Sequence, residues 1–476
     1  MHEIFKPISD MKSATEYNYR YIWVISLVAA MGGLLFGYDW VVIGGAKPFY
    51  EPFFNLTTPA MKGWATSSAL IGCLVGAVFS GVFSDRYGRQ RLMLLAGIMF
   101  TISAIGAGLA NQFSTFVIYR IIGGVGIGLA SNLSPMYIAE VSPASVRGRF
   151  VSVNQLTIVI GVLAAQLVNW LISTSHEMPD HATTSQILEC WNGRIGWRWM
   201  FAACAVPAIL FFVFSLFIPE SPRWLVKNGN SAKAFKVLKK IGGEKYAQEE
   251  LVQIETSLQN EIGTVHFREL FDKGLLKILG LGMFLAFFQQ WCGINTIFYY
   301  ADDIFKAAGF DVKAVMLNIV ITGAVMMIFT FVAIGTVDKY GRKILLLIGS
   351  LGLAGSYALI GLSYMLHFTG FHVLILTVLA IAFYSFSLAP IVWVLLSEMF
   401  PNRIRGAAMS IAVFTLWIGS FSLSYTFPIL NEGIGTSWTF WIYGIICFIG
   451  FFIIKKYLVE TKGKSLEEIE QALIKK

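Results

Sequence analysis

Two charged residues stand inside stretches that otherwise carry almost none. Asp39 falls within the apolar run 21–46, and Arg120 near the start of the run 114–138. At a bilayer centre each costs about 2.5–3.5 kcal/mol on the insertion scale, and pairing offsets that cost. Such a pair can be a static brace. Alternatively, the acid takes up a proton and releases the guanidinium, so that protonation drives a change of shape. A second set consists of amides: Gln289, Gln290 and Asn295 in the run 275–300, and Gln155 in the run 151–172. Amides offer donors and acceptors to hydroxyl groups. Left unpaired when buried they cost about 1–3 kcal/mol, which lets a site reject a ligand lacking the right hydroxyls. Gln289 and Gln290 point about 100° apart on a helix. All three residues of the first run look into one cavity if the helix breaks at Gly293. Plain interhelical hydrogen bonds are the alternative use. Trp393, next to a break at Pro390, presents an aromatic face that can stack on a ring or simply pack.

The composition says what must position these residues. Of 476 residues 56% are hydrophobic and only 13% charged, with a mean hydropathy of +0.67. A soluble domain carries about 25% charged residues, so a soluble enzyme, a disordered chain and a nucleic-acid binder are excluded. The implied class is an all-α membrane protein. A span needs about 20 apolar residues, and twelve such runs occur: 21–46, 63–83, 91–111, 114–138, 151–172, 197–218, 275–300, 313–335, 343–366, 372–397, 406–430 and 437–457. Their interruptions are glycines such as Gly32, Gly33, Gly37, Gly123, Gly124, Gly126 and Gly128, which suit close helix packing in lipid. With the N-terminus inside, inner segments hold 28 of the 36 Lys and Arg. Outer loops hold six: Lys47, Lys62, Arg194, Arg198, Lys306 and Lys313. The bias places both termini in the cytoplasm and turns the net charge of +8 toward an anionic membrane face. Segment 219–274, polar and with nine Lys or Arg, separates the halves 1–218 and 275–476 as a helical cytoplasmic linker. A helix from Asn230 and Ser231 to Ile241 should end at Gly242 and Gly243, with a second over 246–262. Met1 to Arg20 mixes acids and bases and resembles neither a signal nor a transit peptide. The five cysteines and six histidines form no disulfide or metal spacing, so neither a metal nor another cofactor is expected.

The halves repeat each other. Asp85-Arg86-Tyr87-Gly88-Arg89 returns as Asp338-Lys339-Tyr340-Gly341-Arg342. Glu140 and Arg147-Gly148 return as Glu398 and Arg405-Gly406, 258 residues on. Pro219-Glu220-Ser221-Pro222-Arg223 has a weaker echo in Val459-Glu460-Thr461-Lys462-Gly463. Such repeats build transporters whose site lies between the halves. The glycines permit tight turns, and Asp85 and Asp338 are placed to accept at the next helix's N-terminus. The arginines can fork onto carboxylates, giving the pairs Arg89–Glu140 and Arg342–Glu398, with Glu220 and Glu460 as further partners. This set, with Arg147 and Arg405, reads as a gate locking the cytoplasmic ends.

On these strings, together with Gln289-Gln290…Gly293-Ile294-Asn295, the chain resembles the sugar porter family of the major facilitator superfamily over all twelve spans. The likeness is strongest to bacterial proton–xylose symporters. It implies the twelve-helix fold, alternating access and a monosaccharide substrate. It also implies that Gln155, Gln289, Gln290, Asn295 and Trp393 contact the sugar, with Phe36, Tyr299 and Trp417 lining the site. An acid at the position of Asp39 is a symporter feature; facilitators carry Asn there. The chain departs from the xylose-symporter pattern at Cys204, where some members have a second acid, and at Val162, Met326 and Leu416, where amides are replaced. Trp40 is bulkier than usual. The sugar is therefore not copied from the relatives, and a pentose or a hexose fits. A facilitator without proton coupling is the alternative. A transporter-like sensor is disfavoured by the short tail, about 458–476. A membrane enzyme is disfavoured by the lack of paired intramembrane acids, a metal cluster or a nucleophile–base set. The sequon Asn55-Leu56-Thr57 is short and common by chance, and a bacterial inner membrane suits the compact termini better. The partners expected are thus a monosaccharide, a proton and the lipid bilayer, with the chain a monomer and no nucleic acid.

Overall fold

In a computed structural model of the chain, residues 17–176, 183–260, 273–368, 370–400, 405–462, 464, 468–469 and 472–473 are described, without the side chains of Asn260, Lys273, Asp338 and Arg405. Among them twelve helices are long and apolar enough to cross a membrane. Spans 1–6 are Tyr19–Phe53, Pro59–Tyr87, Arg89–Leu109, Phe113–Val141, Arg147–Thr174 and Asn192–Ser215. Spans 7–12 are Gly274–Tyr299, Val312–Val337, Arg342–Met365, Phe371–Met399, Ala407–Ile434 and Thr436–Tyr457. The all-α, twelve-span architecture read from the sequence is borne out, as two six-helix halves.

The glycines do the work of close approach. In span 2, Gly72 and Gly76 face the span 4 backbone, and Gly124 and Gly128 face the span 2 backbone at Ala69 and Cys73, so a Cβ at any of the four would meet the other helix. Small residues bring helices together where lipid gives no hydrophobic drive. The outer faces keep large apolar side chains exposed, Leu109, Phe217 and Phe371 among them.

Three boundaries differ from expectation. Span 1 runs to Phe53, past Pro48 and Pro52, so that Lys47 is a buried helical residue and not a loop charge. Span 6 begins at Asn192 with a π-helical turn, Asn192–Gly196. Span 10 breaks at Ser387, between Phe371–Phe386 and Leu388–Met399. Pro390 lies in the first turn of the second piece, where no intrahelical bond needs its missing N–H. Span 7 does break at Gly293, whose φ is +87°.

Between the halves, Pro222–Lys227 is capped by Ser221, whose side chain accepts from the Trp224 amide. Ser231–Asn260 bends at Gly242 and Gly243 (φ +80°). The bend folds the second arm back, and Ser231 Oγ donates to Glu255 Oε1 at 3.1 Å. The remainder of the expected second helix, 261–262, and the rest of the segment through 272 lie outside the described residues.

Candidate functional site

Asp39 and Arg120 meet in the interior of the first half. Arg120 Nη1 donates to Asp39 Oδ1 at 2.7 Å, and Nη2 reaches the Asp39 carbonyl at 3.5 Å. Both are buried, 5% and 2% exposed. The pair is half-engaged: Asp39 Oδ2 and Arg120 Nε have no hydrogen-bond partner. The guanidinium lies 5.6 Å from the centroid of the Phe201 ring. Asp39 and Arg120 share the walls of one nearly closed cavity, of about 10 Å³, with Phe36, Trp40, Tyr299 and Trp417, residues of both halves. Phe36 and Trp417 approach across it with ring centroids 6.0 Å apart, and Trp40 packs on Phe298 at 5.3 Å and Tyr299 at 6.3 Å. Trp417 Nε1 is buried without an acceptor.

The amides of span 7 form a separate layer around its break. Gln289 Nε2 donates to the carbonyls of Leu388 and Ala389, at 2.9 and 3.1 Å. These carbonyls lie in the first turn of the second piece of span 10, so the side chain ties the two interrupted helices together. Gln289 Oε1 is left buried and unpartnered. Asn295 Nδ2 donates to Gln290 Oε1 at 2.5 Å, so the two amides hold each other across Gly293. Gln155 and Trp393 are half-buried on spans 5 and 10 and do not line the cavity beside Asp39. Val162, Met326, Leu416 and Cys204 are all buried. Gln166 was not singled out in the sequence. It is buried, and its Nε2 reaches Thr322 Oγ1 of span 8 at 3.4 Å, between the halves. The signal was present: Gln155, Val162 and Gln166 stand at i, i+7 and i+11 on one helical face.

The repeated motifs build two matching clusters, each inside one half. Arg89 Nε and Nη2 donate to the two oxygens of Glu140, both at 3.0 Å, and Nη1 to Asp85 at 3.1 Å. Arg342 Nη2 donates to Glu398 Oε1 at 2.9 Å. The N-terminal cap differs from expectation. Asp85 does not cap span 3; it takes Arg89 and, at 2.8 Å, Lys227 of the linker. Glu220 accepts the Arg89 and Gln90 amides instead, at 2.9 and 3.2 Å, and Glu460 accepts those of Arg342 and Lys343, at 2.8 and 3.0 Å. The weak sequence echo is thus a close structural equivalent. The first four amides of a helix lack internal partners, and a carboxylate from a distant segment supplies them. Burial pushes the Glu220 carboxyl up, while the amides of Ser221, Gln90 and Arg89 pull it down. Arg147 is exposed and acts on Glu250 of the linker, opposing the rise that burial imposes on that carboxyl. The side chains of Asp338 and Arg405 lie outside the described residues. These arginine–carboxylate pairs join spans within a half, and not one half to the other.

Comparison with known proteins agrees with this architecture. Residues 25–473 match the model of the family described as sugar (and other) transporter. The chain is 40% identical to the arabinose-proton symporter of Bacillus subtilis over 461 residues, 96% of each chain. It is 39% identical to the D-xylose-proton symporter of Escherichia coli K12, again over 96% of each. It is 40% identical to the glucose transport protein of Synechocystis, over 97% of this chain and 99% of that one. Among solved structures it is similar to the xylose transporter XylE of E. coli in a partially occluded inward open conformation. There the TM-score is 0.82 at 36% identity, over 94% of this chain and 100% of that one. The proton:xylose symporter XylE bound to 6-bromo-6-deoxy-D-glucose gives 0.79 at 38%, over 96% and 100%. The chain belongs to the sugar (and other) transporter family, with the fold of the major facilitator superfamily.

Proposed function

We propose that the protein carries a monosaccharide, xylose, arabinose or a related pentose or hexose, together with a proton across a bacterial inner membrane. It acts as a monomer by alternating access between halves 1–218 and 275–476, with both termini and the linker 219–274 cytoplasmic. One observation carries the reading. The buried Asp39–Arg120 pair opens on the same cavity as Phe36, Tyr299 and Trp417, in a chain similar throughout to proton symporters of pentoses.

The chemistry follows from the half-engaged pair. A proton arriving on Asp39 Oδ2 neutralises the carboxylate and weakens its hold on Arg120. The guanidinium then seeks another partner, which changes the packing of spans 1 and 4 against the second half. A hydroxyl of the sugar can donate to Gln289 Oε1, and another can accept from Trp417 Nε1, both buried and without a partner. Gln155, Gln290, Asn295 and Trp393 complete the contacts. The arginine–carboxylate clusters keep each half rigid as it moves. The similarity to an inward open relative supports an inward-facing state. A membrane potential of 100 mV contributes about 2.3 kcal/mol per proton moved, or about 50-fold accumulation.

The test is reconstitution in liposomes with a trapped pH indicator. D-xylose, L-arabinose and D-glucose are each screened by counterflow. Counterflow, together with acidification of the interior when sugar is added outside unloaded liposomes, is the expected result. Counterflow without it makes the protein a facilitator, the second reading, favoured by the similarity to a protein named only for glucose transport.

A further inference from the structure

At the end of the bundle opposite the Arg89 and Arg342 clusters, the two halves are joined by charge. Lys47 of span 1 is 1% exposed, and its Nζ lies 2.5 Å from Asp303 Oδ2, a side chain 37% exposed in the helix Ala301–Ala307 that follows span 7. The same ammonium lies 3.4 Å from Glu51 Oε1, one turn on in its own helix, and 5.4 Å from the centroid of the Tyr300 ring. Asp302 is engaged separately by Lys306. A second bridge, Lys62 Nζ to Glu432 Oε1 at 2.9 Å, joins span 2 to span 11, but with side chains 27% and 44% exposed.

We propose that Lys47 and Asp303 form an outer latch that sets the balance between the inward-facing and outward-facing states. This rests on the alternating-access reading above. A buried ammonium is costly to leave unpaired. Lys47 meets that constraint in both states, because Glu51 travels with it on span 1 while Asp303 belongs to the other half. Closing adds Asp303 to a partner already present; opening removes it and admits water. The element is therefore two-state, with no bare charge at either end. The Lys62–Glu432 bridge is open to solvent on both sides, and such pairs contribute little, so the bridge with the buried ammonium carries the bias.

The experiment places spin labels at Thr57→Cys and Gly433→Cys, exposed positions on the two halves at this end, with Cys190→Ser removing the one cysteine that is not buried. Pulsed electron–electron resonance in liposomes reads the distance distribution. Asp303→Asn should raise the ratio of wide to narrow distances about 10-fold, and Asp303→Glu should keep the native distribution. Glu51→Gln should not raise the wide population, since it removes the partner needed when the latch is open. Glu432→Gln should change the ratio less than Asp303→Asn does. Where Asp303→Asn is not inserted, the double variant Lys47→Gln with Asp303→Asn must widen the distribution likewise. An unchanged distribution in the Asp303 or double variant, or an equal widening by Glu51→Gln, overturns the latch. D-xylose counterflow on the same samples separates the readings. Absent counterflow in the native chain counts against transport, while the distances still judge the latch.

Discussion

Asp39 has one oxygen held by Arg120 and one free, and that asymmetry makes the pair more than a brace. A brace needs only the bond; a proton carrier needs an oxygen able to receive the proton. Asp39→Asn keeps an acceptor for Arg120 but cannot titrate. It should retain sugar counterflow while abolishing sugar-driven acidification of the liposome interior. If acidification persists in Asp39→Asn, proton coupling does not pass through this residue. Gln289 has the opposite division of labour, with both amide donations made to the span 10 backbone and only its oxygen open. Gln289→Ala therefore loses both the ligand acceptor and the tie between the two breaks. Sugar affinity, measured by competition in counterflow, should weaken by about 5- to 150-fold, the equivalent of 1–3 kcal/mol. An unchanged affinity would mean that the oxygen faces no ligand.

The turns after spans 2 and 8 show how a helix start can depend on a segment far away in the chain. Gly88 has φ +96° and Gly341 φ +87°, where a side chain costs about 1–2 kcal/mol. A Cβ at either would also collide with the capping carboxylate, Glu220 or Glu460, and losing a cap costs about 0.5–2 kcal/mol. Gly88→Ala and Gly341→Ala should therefore lower the thermal unfolding midpoint of the detergent-purified protein. Gly81→Ala, inside span 2 with nothing within 4 Å, should hold or raise it. A Gly88→Ala midpoint no lower than that of Gly81→Ala would remove the argument. This is also where local reading of the sequence reached its limit. Asp85 lies nearest in sequence to the start of span 3 and looked like its cap; Glu220 does the work because the chain returns there 131 residues later. In span 10 the proline looked like the break, yet the backbone departs from helix three residues earlier, at Ser387. Residue type marks where a helix can break, and here the break lies beside the carbonyls that the Gln289 side-chain amide holds.

At the scale of the molecule, span number, the repeat and the family were legible because they rest on long runs and paired motifs. Lys47 was not, since a lysine near a span end reads as a loop charge until span 1 is seen to continue past two prolines with Glu51 and Asp303 in reach. That reassignment bears on orientation. With Lys47 paired inside the bundle, one of the six cations first assigned to outer loops no longer faces solvent, and the contrast between the two faces sharpens in the direction the positive-inside rule uses. The linker arm Ser231–Asn260, rich in lysine, should then lie in the cytoplasm, and the segment between spans 5 and 6 outside. Two single-cysteine variants in a Cys190→Ser background decide it: Glu189→Cys and Glu249→Cys, both at exposed positions. A membrane-impermeant maleimide added to intact cells with a permeabilised outer membrane should label the first at once, and the second only after the inner membrane is broken. The reverse pattern would invert the whole assembly. The Lys47–Asp303 latch would then close the cytoplasmic face, and the arginine–carboxylate clusters would lie outside.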